Sequence, residues 1–203
     1  MATLTATPSP GRPRDAALDA NILRAAMELL GESGLNAVTM DAVAQRAGAG
    51  KASLYRRWRS KDELLADALA LYSPIDVEID TGSLREDLVK VYEVYYGIGN
   101  HLMQAAIQEM LGNVRMHHAW TEKVAPHRLA VRRATLVTMF ERAAARGEIR
   151  MPADLHLIID VVPALVLYRF NMRSQKVTRA SIAKVIDTLV LPLVAAGSTG
   201  VQP

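Results

Sequence analysis

The residues best suited to chemistry in this sequence lie in a short cationic window. Residues 42–61 contain neither Asp nor Glu, and their basic residues are Arg46, Lys51, Arg56, Arg57, Arg59 and Lys61, with Tyr55 and Trp58 among them. Cations at this density can neutralise phosphates, and the aromatic rings can add contacts to nucleic acid. On charge alone, a solvated helix face explains the window equally well. The formal net charge of the whole chain is only +3, so average composition decides little.

Other site chemistries have less support in the sequence. The absence of cysteine excludes disulfides and cysteine-based zinc sites, and it is compatible with a reducing cytosol. His117, His118 and His127 lack the spacing and the carboxylate partners of a metal site, so we predict no metal and no cofactor. No nucleophile–base set, glycine-rich phosphate loop or dinucleotide fingerprint is found, and we therefore predict that the protein is not an enzyme.

The elements that position the cationic window are predicted to be helices. Apolar residues recur at helical spacing throughout the chain, which indicates an all-α fold. Four helices are expected first, over residues 15–33, 40–47, 51–58 and 61–72. Thr39 is a good N-cap for the second helix, Gly48 and Gly50 make a tight turn after it, and Ser60 with Glu63 forms a capping box for the fourth. Three compact helices that end in helix, turn and helix follow the plan of a helix-turn-helix DNA-binding domain.

The third helix has two different faces on a helical wheel. Leu54 and Trp58 fall together and are expected to pack inward. The opposite face combines a small residue, a hydroxyl, a phenol and two cations, namely Ala52, Ser53, Tyr55, Lys51 and Arg56. Arg can read guanine, Ala can touch a thymine methyl, and the others can bond phosphates in or beside a major groove. The alternative is an ordinary solvated surface helix.

Taken together, these residues resemble the signature of TetR-family transcriptional regulators. Residues 38–65 read VTMDAVAQRAGAGKASLYRRWRSKDELL. In that family a threonine caps the second helix, and an Ala-Gly turn leads to a recognition helix that begins around a lysine. A Leu-Tyr pair, an aromatic residue and a Ser-Lys-x-Glu-Leu run follow. The match covers residues 16–72, and the remainder agrees in length and helix pattern.

The resemblance implies DNA contacts at the matching positions. Phosphate contacts are expected from Thr39, Lys51, Tyr55 and Lys61, base-edge contacts from Ala52, Ser53, Arg56 and Arg57, and Arg46 is a further DNA-binding candidate. Two positions depart from the family. Gly50 replaces the usual Ser or Thr cap of the recognition helix, and Ala49 replaces a larger apolar residue of the turn. One phosphate contact and some packing are therefore in question.

Four segments are expected along the chain. They are a flexible basic arm (1–14), the helix-turn-helix domain (15–60), an all-helical ligand-binding and dimerisation domain (61–196) and a flexible tail (197–203). Arg12 and Arg14 are candidates for a minor-groove contact, the alternative being a basic tail without a role. The N-terminus does not resemble a secretory signal, and the longest apolar stretch is too short to span a bilayer. We therefore expect a cytoplasmic protein with no membrane partner.

The last two long helices, expected over residues 153–172 and 178–194, are unusually apolar. In the TetR family these helices pair with those of a second copy, so the resemblance implies a homodimer. The residues assigned to this interface are Leu155, Ile158, Ile159, Val162, Leu165, Val166, Ile182, Val185, Ile186, Leu189 and Leu193. The alternative is that they form the core of one copy. Pro126 and Pro163 lie inside helical patterns and are expected to kink or break them.

An effector pocket is expected between the middle helices, because Met and aromatic residues line adaptable apolar sites. The candidates are Tyr95, Met103, Met110, Met116, Trp120, Met139, Phe140 and Tyr168. Plain core is the alternative for each of them.

The sequence thus predicts a homodimeric regulator that binds a pseudo-palindromic double-stranded operator. Repression, relieved by a small apolar or amphipathic effector, is the expected action, because a ligand with different affinities for two states shifts their balance. One alternative keeps the fold but makes it an activator, or a regulator without a small effector. Another is a helical binding protein or enzyme with a vestigial helix-turn-helix, and the outward cations argue against that alternative.

Overall fold

The structure, a computed structural model, describes residues 16–72, 77–112 and 125–196. Every regular element within these ranges is helical, which confirms the predicted all-α fold. The N-terminal elements are α1 (Ala16–Ser33), a 3₁₀ turn (Leu35–Ala37), α2 (Met40–Ala47), α3 (Lys51–Arg57) and α4 (Lys61–Tyr72). The others are α5 (Leu84–Tyr95), α6 (His101–Gly112), α7 (Ala125–Ala145), α8 (Leu155–Arg173), α9 (Arg179–Val185), a π-helical segment (Ile186–Val190) and α10 (Leu191–Ala196).

Helix α1 connects the N-terminal helices to the rest of the protein. It packs against α2, α4 and α6, and it buries an apolar stripe that includes Ile22, Ala26 and Leu30. At Gly31 its backbone approaches α6 so closely that an added Cβ would lie 2.6 Å from the carbonyl oxygen of Leu102. Only glycine fits such an approach without a shift of backbone. A displacement of α6 would therefore be felt directly by α1.

Helices α5, α7, α8 and α9 enclose the second part of the core, which contains Leu88, Phe140 and Ile182. The guanidinium of Arg85 on α5 donates two hydrogen bonds to Asp187 in the π-helical segment, at 2.7 and 2.8 Å. These bonds lower the pKa of the Asp187 carboxyl. The last helical segments are thus tied to α5 by apolar packing, by this two-pronged ion pair and by the ion pairs of Arg179 with Glu86 and Glu93.

The two internal prolines were expected to kink or break their helices. Pro163 lies inside α8, which continues through it from Leu155 to Arg173, so the predicted break is wrong there. Pro126 is the second residue of α7, and the residues that precede Ala125 lie outside the described ranges, so the expectation at Pro126 stays a prediction.

Helix α8 is apolar on both of its faces. By length and composition it could cross a membrane, with a mean hydropathy of 1.4, although a core helix passes the same test. Its inner side packs Ile158, Ile159 and Val162 into the core of the protomer. Its outer side exposes Leu157 and Met172 to solvent. Burial in the core explains the apolar residues of the inner face. It does not explain why apolar residues are exposed on the outer face.

Candidate functional site

The turn between α2 and α3 is fixed by local hydrogen bonds and by one glycine. Thr39 caps α2, because its Oγ1 accepts a hydrogen bond from the backbone N–H of Ala42 at 3.1 Å. Gly48 ends α2 with a φ of 63°, the left-handed conformation that favours glycine. Gly50 begins α3 without a side-chain acceptor. The predicted caps and tight turn are confirmed, and so is the missing cap at Gly50.

The inner face of α3 is locked to its neighbours. Leu54 is fully buried and Trp58 is 5% exposed, as predicted. The Nε1 of Trp58 donates a hydrogen bond to the carboxylate of Asp67 on α4 at 2.8 Å. On the other side of the domain, Asn21 of α1 donates from Nδ2 to the carbonyl of Ala47 at the end of α2, also at 2.8 Å. The neighbouring helices α2 and α4 therefore hold α3 in one orientation, and α1 in turn holds α2.

The outer face of α3 is polar and accessible. Lys51, Ala52, Tyr55 and Arg56 are all exposed, and we call these four residues the reader face. Arg56 has no hydrogen bond or ion pair with another residue that the structure describes, so its five donors are available. A short helix fits into a major groove, and these exposed side chains can form hydrogen bonds and apolar contacts with the base edges there.

Two predicted DNA contacts are engaged in surface ion pairs. The Nζ of Lys51 lies 2.6 Å from Asp41, and the Nη1 of Arg46 lies 2.6 Å from Glu32. Exposed pairs of this kind contribute about 0–1 kcal/mol, so a phosphate can replace the carboxylate at little cost. Both cations can therefore still contact phosphates of the DNA backbone.

Arg57 differs from the prediction. Its side chain is only 16% exposed and turns back toward α1, where Nε donates to the carboxylate of Asp19. Its Nη1 donates to the hydroxyl of Ser53 at 2.5 Å and to the carbonyl of Ser53 at 3.0 Å. Arg57 therefore supports α3 from behind and is not on its outer face. Ser53 is half-buried, with its hydroxyl oxygen already accepting a hydrogen bond.

The start of α4 offers a second cationic position. Ser60 Oγ accepts from the backbone N–H of Glu63 at 3.2 Å, and the Glu63 carboxylate accepts from the N–H of Arg59 at 2.9 Å. This is the predicted capping box with one difference, because the Glu63 carboxylate accepts from the N–H of Arg59 and not from that of Ser60. Lys61, in the first turn, is half-buried, and Arg59 is exposed beside it. Arg59 was not predicted as a contact, although the charge window contains it. Arg12 and Arg14 lie outside the described residues.

A cavity of about 560 Å³ lies between α5, α7 and α8. Three aromatic rings form one wall, with Tyr92 edge-on to Tyr95 at 6.1 Å and stacked on Tyr96 at 6.2 Å between ring centroids. Leu136, Ile159 and Pro163 complete an apolar lining. We call this the tyrosine cavity. Its size and composition are typical of small-molecule sites.

The charged groups that line the tyrosine cavity are Arg132, Arg133 and Asp160. The guanidinium carbon of Arg132 lies 4.5 Å from the centroid of the Tyr95 ring, and its Nη2 donates to the Tyr95 carbonyl at 3.3 Å. Its Nε is buried without a partner, and burial lowers the pKa of Arg132. Arg133 and Asp160 are exposed and pair with each other at 3.2 Å. In the described part of the chain, no group of three acidic or histidine side chains is placed to hold a metal ion.

Of the described side chains predicted for the effector pocket, most do not line the tyrosine cavity. Tyr95 lines the cavity, but Met139 and Phe140 are each 1% exposed and belong to the core. Met103 is half-buried on α6 and lines a separate groove. Tyr168 is 55% exposed on α8 and is not in the cavity lining. The side chain of Met110, and all of Met116 and Trp120, lie outside the described residues.

One sequence signal could have located the cavity. Arg132 precedes Leu136 by four residues and Met139 by seven, so a cation interrupts the apolar stripe of α7. Tyr92 and Tyr96 are spaced by four residues, which places both rings on the same side of the chain as it leaves α5. In this chain the interrupted stripe and the paired tyrosines mark the lining of the cavity.

Most of the residues assigned to the dimer interface belong to the core of one protomer. Seven of them are no more than 7% exposed in the single chain and leave almost no surface for a partner, namely Ile158, Ile159, Val162, Val166, Ile182, Val185 and Ile186. Leu155 and Leu165 are half-buried. Leu189 and Leu193 are 39% and 46% exposed. The assignment was wrong for the buried seven because helical periodicity finds an apolar stripe without telling which neighbour covers it.

Two family models match the chain. The model described as "Bacterial regulatory proteins, tetR family" matches residues 22–68, which contain α2, α3 and most of α1 and α4. The model described as "Tetracyclin repressor-like, C-terminal domain" matches residues 78–189, more than half of the chain. Residues 69–77 lie between the two matches.

Curated relatives agree with these matches. An uncharacterised HTH-type transcriptional regulator of Mycobacterium tuberculosis is 32% identical over 189 residues, which cover 91% of this chain and 90% of the relative. A protein named "DNA-binding transcriptional repressor TetR" from Mycobacteroides abscessus is 28% identical over 190 residues, covering 93% of this chain and 97% of that protein.

Solved structures show the same fold. A TetR-family regulator from Rhodococcus superposes with a TM-score of 0.66 at 18% identity, covering 86% of this chain and 99% of that structure. GusR of Salmonella enterica superposes with a TM-score of 0.63 at 20% identity, covering 89% and 97%. From the helix-turn-helix geometry, the family models and the mycobacterial relative together, the chain belongs to the TetR family of DNA-binding transcriptional regulators.

Proposed function

We propose that this regulator is a homodimeric repressor that leaves a pseudo-palindromic operator when a small effector binds. The observation that carries the proposal is the reader face, which is exposed while Leu54 and Trp58 lock the opposite side of α3. The repressor role is supported by the printed name of the relative from M. abscessus. Such a protein would work in the bacterial cytoplasm, where it meets chromosomal DNA.

Different residues in and around the reader face are proposed to contact bases and phosphates. Arg56 and Ala52 would contact base edges, because Arg can make two hydrogen bonds to guanine and Ala can pack on a thymine methyl. The phosphate anchors would be the residues that surround them, namely Thr39, Arg46, Lys51, Tyr55, Arg59 and Lys61. Arg57 and Ser53 would act indirectly, by holding α3 against Asp19.

Dimerisation is proposed to use an outer apolar face formed by Leu157, Tyr168 and Met172 on α8 with Leu189 and Leu193 near the C-terminus. These side chains are between 39% and 73% exposed in one protomer. Large apolar side chains grouped at the surface indicate an interaction site. TetR-family regulators dimerise, and a two-fold dimer presents two recognition helices to the two halves of an operator.

The tyrosine cavity is proposed as the effector site, because contacts connect its helices to α4 and, through α6, to α1. Arg128 on α7 donates from Nη1 to the carbonyl of Leu69 on α4 at 3.3 Å. Helix α6 packs against both α8 and α1. An effector that favours one arrangement of α7 and α8 would therefore favour one position of α1 and α4.

Selection of genomic fragments by the purified protein, followed by nuclease footprinting, tests the proposed function. The expected result is protection of two inverted half-sites with centres about one helical turn apart. Arg56→Ala is the matched variant, and it should lose selection of those fragments while keeping weak binding to any duplex. A wild-type protein that selects no fragment, or that protects a single half-site only, would contradict the proposal.

A further inference from the structure

We propose that the effector is an organic anion, a carboxylate attached to a flat apolar body, and that Arg132 binds its charged group. This inference rests on the proposed function of the tyrosine cavity as the effector site. It adds the chemical class of the ligand and the residue that selects it.

Arg132 lines the cavity, and one donor of its guanidinium has no hydrogen-bond partner. Its Nε is buried and without a partner, and its hydrogen bond to a described residue runs from Nη2 to the carbonyl of Tyr95 at 3.3 Å. No carboxylate of a described residue lies within ion-pair distance of its guanidinium. A guanidinium has five N–H donors in a planar fork that matches the two oxygens of a carboxylate. Arg132 as a whole is half-buried, and a cation held partly away from water is ordinarily paired, so this one is suited to an anion from outside the chain.

The charges around the cavity favour an anion. Arg133 and Asp160 neutralise each other, with both oxygens of Asp160 at 3.2 Å from Nη2 of Arg133. Burial lowers the pKa of Arg132, but an arginine is expected to remain charged at neutral pH. The charges that line the cavity therefore sum to a positive value, which favours an anionic ligand over a cationic one.

The rest of the cavity fits an apolar body with an aromatic or similarly flat shape. Burial raises the pKa of Tyr92 and Tyr96, so both phenols are neutral and do not compete for Arg132. The Tyr95 ring already stacks with the guanidinium of Arg132. A ligand ring can extend this arrangement, since guanidinium and aromatic faces attract each other. A volume of about 560 Å³ leaves room for a ligand of two fused rings or more.

The test compares two probes that differ in charge and have nearly the same shape, 2-naphthoate and 2-naphthamide. Their dissociation constants are measured by calorimetry on the full-length protein and on Arg132→Met. In the wild type the carboxylate should bind at least about tenfold tighter than the amide, because a charged hydrogen-bonded pair forms. In Arg132→Met the two probes should bind within about twofold of each other. Arg132→Lys should keep part of the preference for the carboxylate over the amide, since lysine retains the positive charge but lacks the planar set of N–H donors.

Two further variants make the result specific. Arg150→Met removes an exposed arginine outside the cavity and should keep the full preference for the carboxylate. Ala130→Trp fills part of the cavity and should weaken both probes. Equal binding of the two probes that is abolished in Ala130→Trp would overturn the anion inference and leave the effector cavity standing. Binding of either probe that Ala130→Trp does not change would overturn the cavity itself, and a carboxylate preference that survives Arg132→Met would overturn the role of Arg132.

Discussion

The indole N–H of Trp58 and the carboxylate of Asp67 form a hydrogen bond of 2.8 Å that joins the end of α3 to the middle of α4. Trp58 is 5% exposed, so its N–H has little access to water and depends on this acceptor. The recognition helix is short, and short helices owe their stability to tertiary contacts. The orientation of the reader face therefore depends on the hydrogen bond between Trp58 and Asp67, although neither residue belongs to that face.

Asp67→Ala is expected to destabilise the DNA-binding domain. The buried indole N–H loses its acceptor, which costs about 1–3 kcal/mol in the free energy of unfolding. Asp67→Asn is the matched control, because its amide oxygen can still accept, and it should lose clearly less. Urea unfolding of the three proteins measures the difference. Equal stability of Asp67→Ala and the wild type would show that Trp58 does not need this bond.

Arg57→Ala and Arg56→Ala are expected to act on different properties, although the residues are adjacent. Arg57 bonds to Asp19 and Ser53, so its loss should lower the free energy of unfolding by about 1–3 kcal/mol. Arg56 is exposed, so Arg56→Ala should change stability by no more than about 0.5 kcal/mol. Chemical denaturation without DNA separates the two. The reverse order of stabilities would place Arg57, and not Arg56, on the outer face.

The dimer surface can be separated from the core by two glutamate substitutions. Leu193 is 46% exposed in one protomer, and Leu193→Glu should give a folded monomer that binds the operator poorly. Val162 is 1% exposed, and Val162→Glu should prevent folding, because it buries an unpaired charge. Sedimentation gives the mass, and circular dichroism gives the helix content. A dimeric Leu193→Glu protein of wild-type affinity would rule out that part of the outer apolar face.

Arg132→Met is expected to stabilise the ligand-free protein. The side chain is half-buried with its Nε fully buried, and its hydrogen bond and ring contact with Tyr95 compensate the desolvation only in part, because Nε has no partner. Methionine keeps the apolar part of the side chain, and the free energy of unfolding should rise by about 1 kcal/mol. Arg150→Met, at an exposed position, should change it little. Thermal unfolding measures both variants, and a destabilised Arg132→Met would mean that the arginine is a structural residue.

The sequence was sufficient for the helix-turn-helix because its signals are local. Thr39, Gly48 and Gly50 act through their own backbone conformations and through hydrogen bonds to residues within a few positions. The inward packing of Leu54 and Trp58 also follows from one period of a helix. Such features need no knowledge of distant parts of the chain, and the structure agrees with each of them.

The remaining assignments depended on which element covers which face. Arg57 lies on the same short helix as Arg56, and only the position of Asp19 on α1 draws it inward. The stripe of α8 that contains Val162 was assigned to a second protomer, but neighbouring helices of the same chain cover it. The tyrosine cavity joins α5, α7 and α8, which are far apart in sequence. Long-range packing of this kind cannot be read from periodicity.

We propose that the outer face of α3 reads DNA sequence while the start of α4 anchors phosphates. A salt-dependent binding titration separates these two roles, with the wild type, Arg56→Ala and Lys61→Ala each measured on the operator and on a scrambled duplex. Arg56→Ala should cost about 1–3 kcal/mol on the operator and little on the scrambled duplex. Lys61→Ala should weaken binding to both duplexes and lower the salt slope by about one unit for each phosphate that is no longer neutralised. Equal losses on both duplexes for Arg56→Ala would make Arg56 a phosphate contact, and unchanged binding of both variants would contradict the claim altogether.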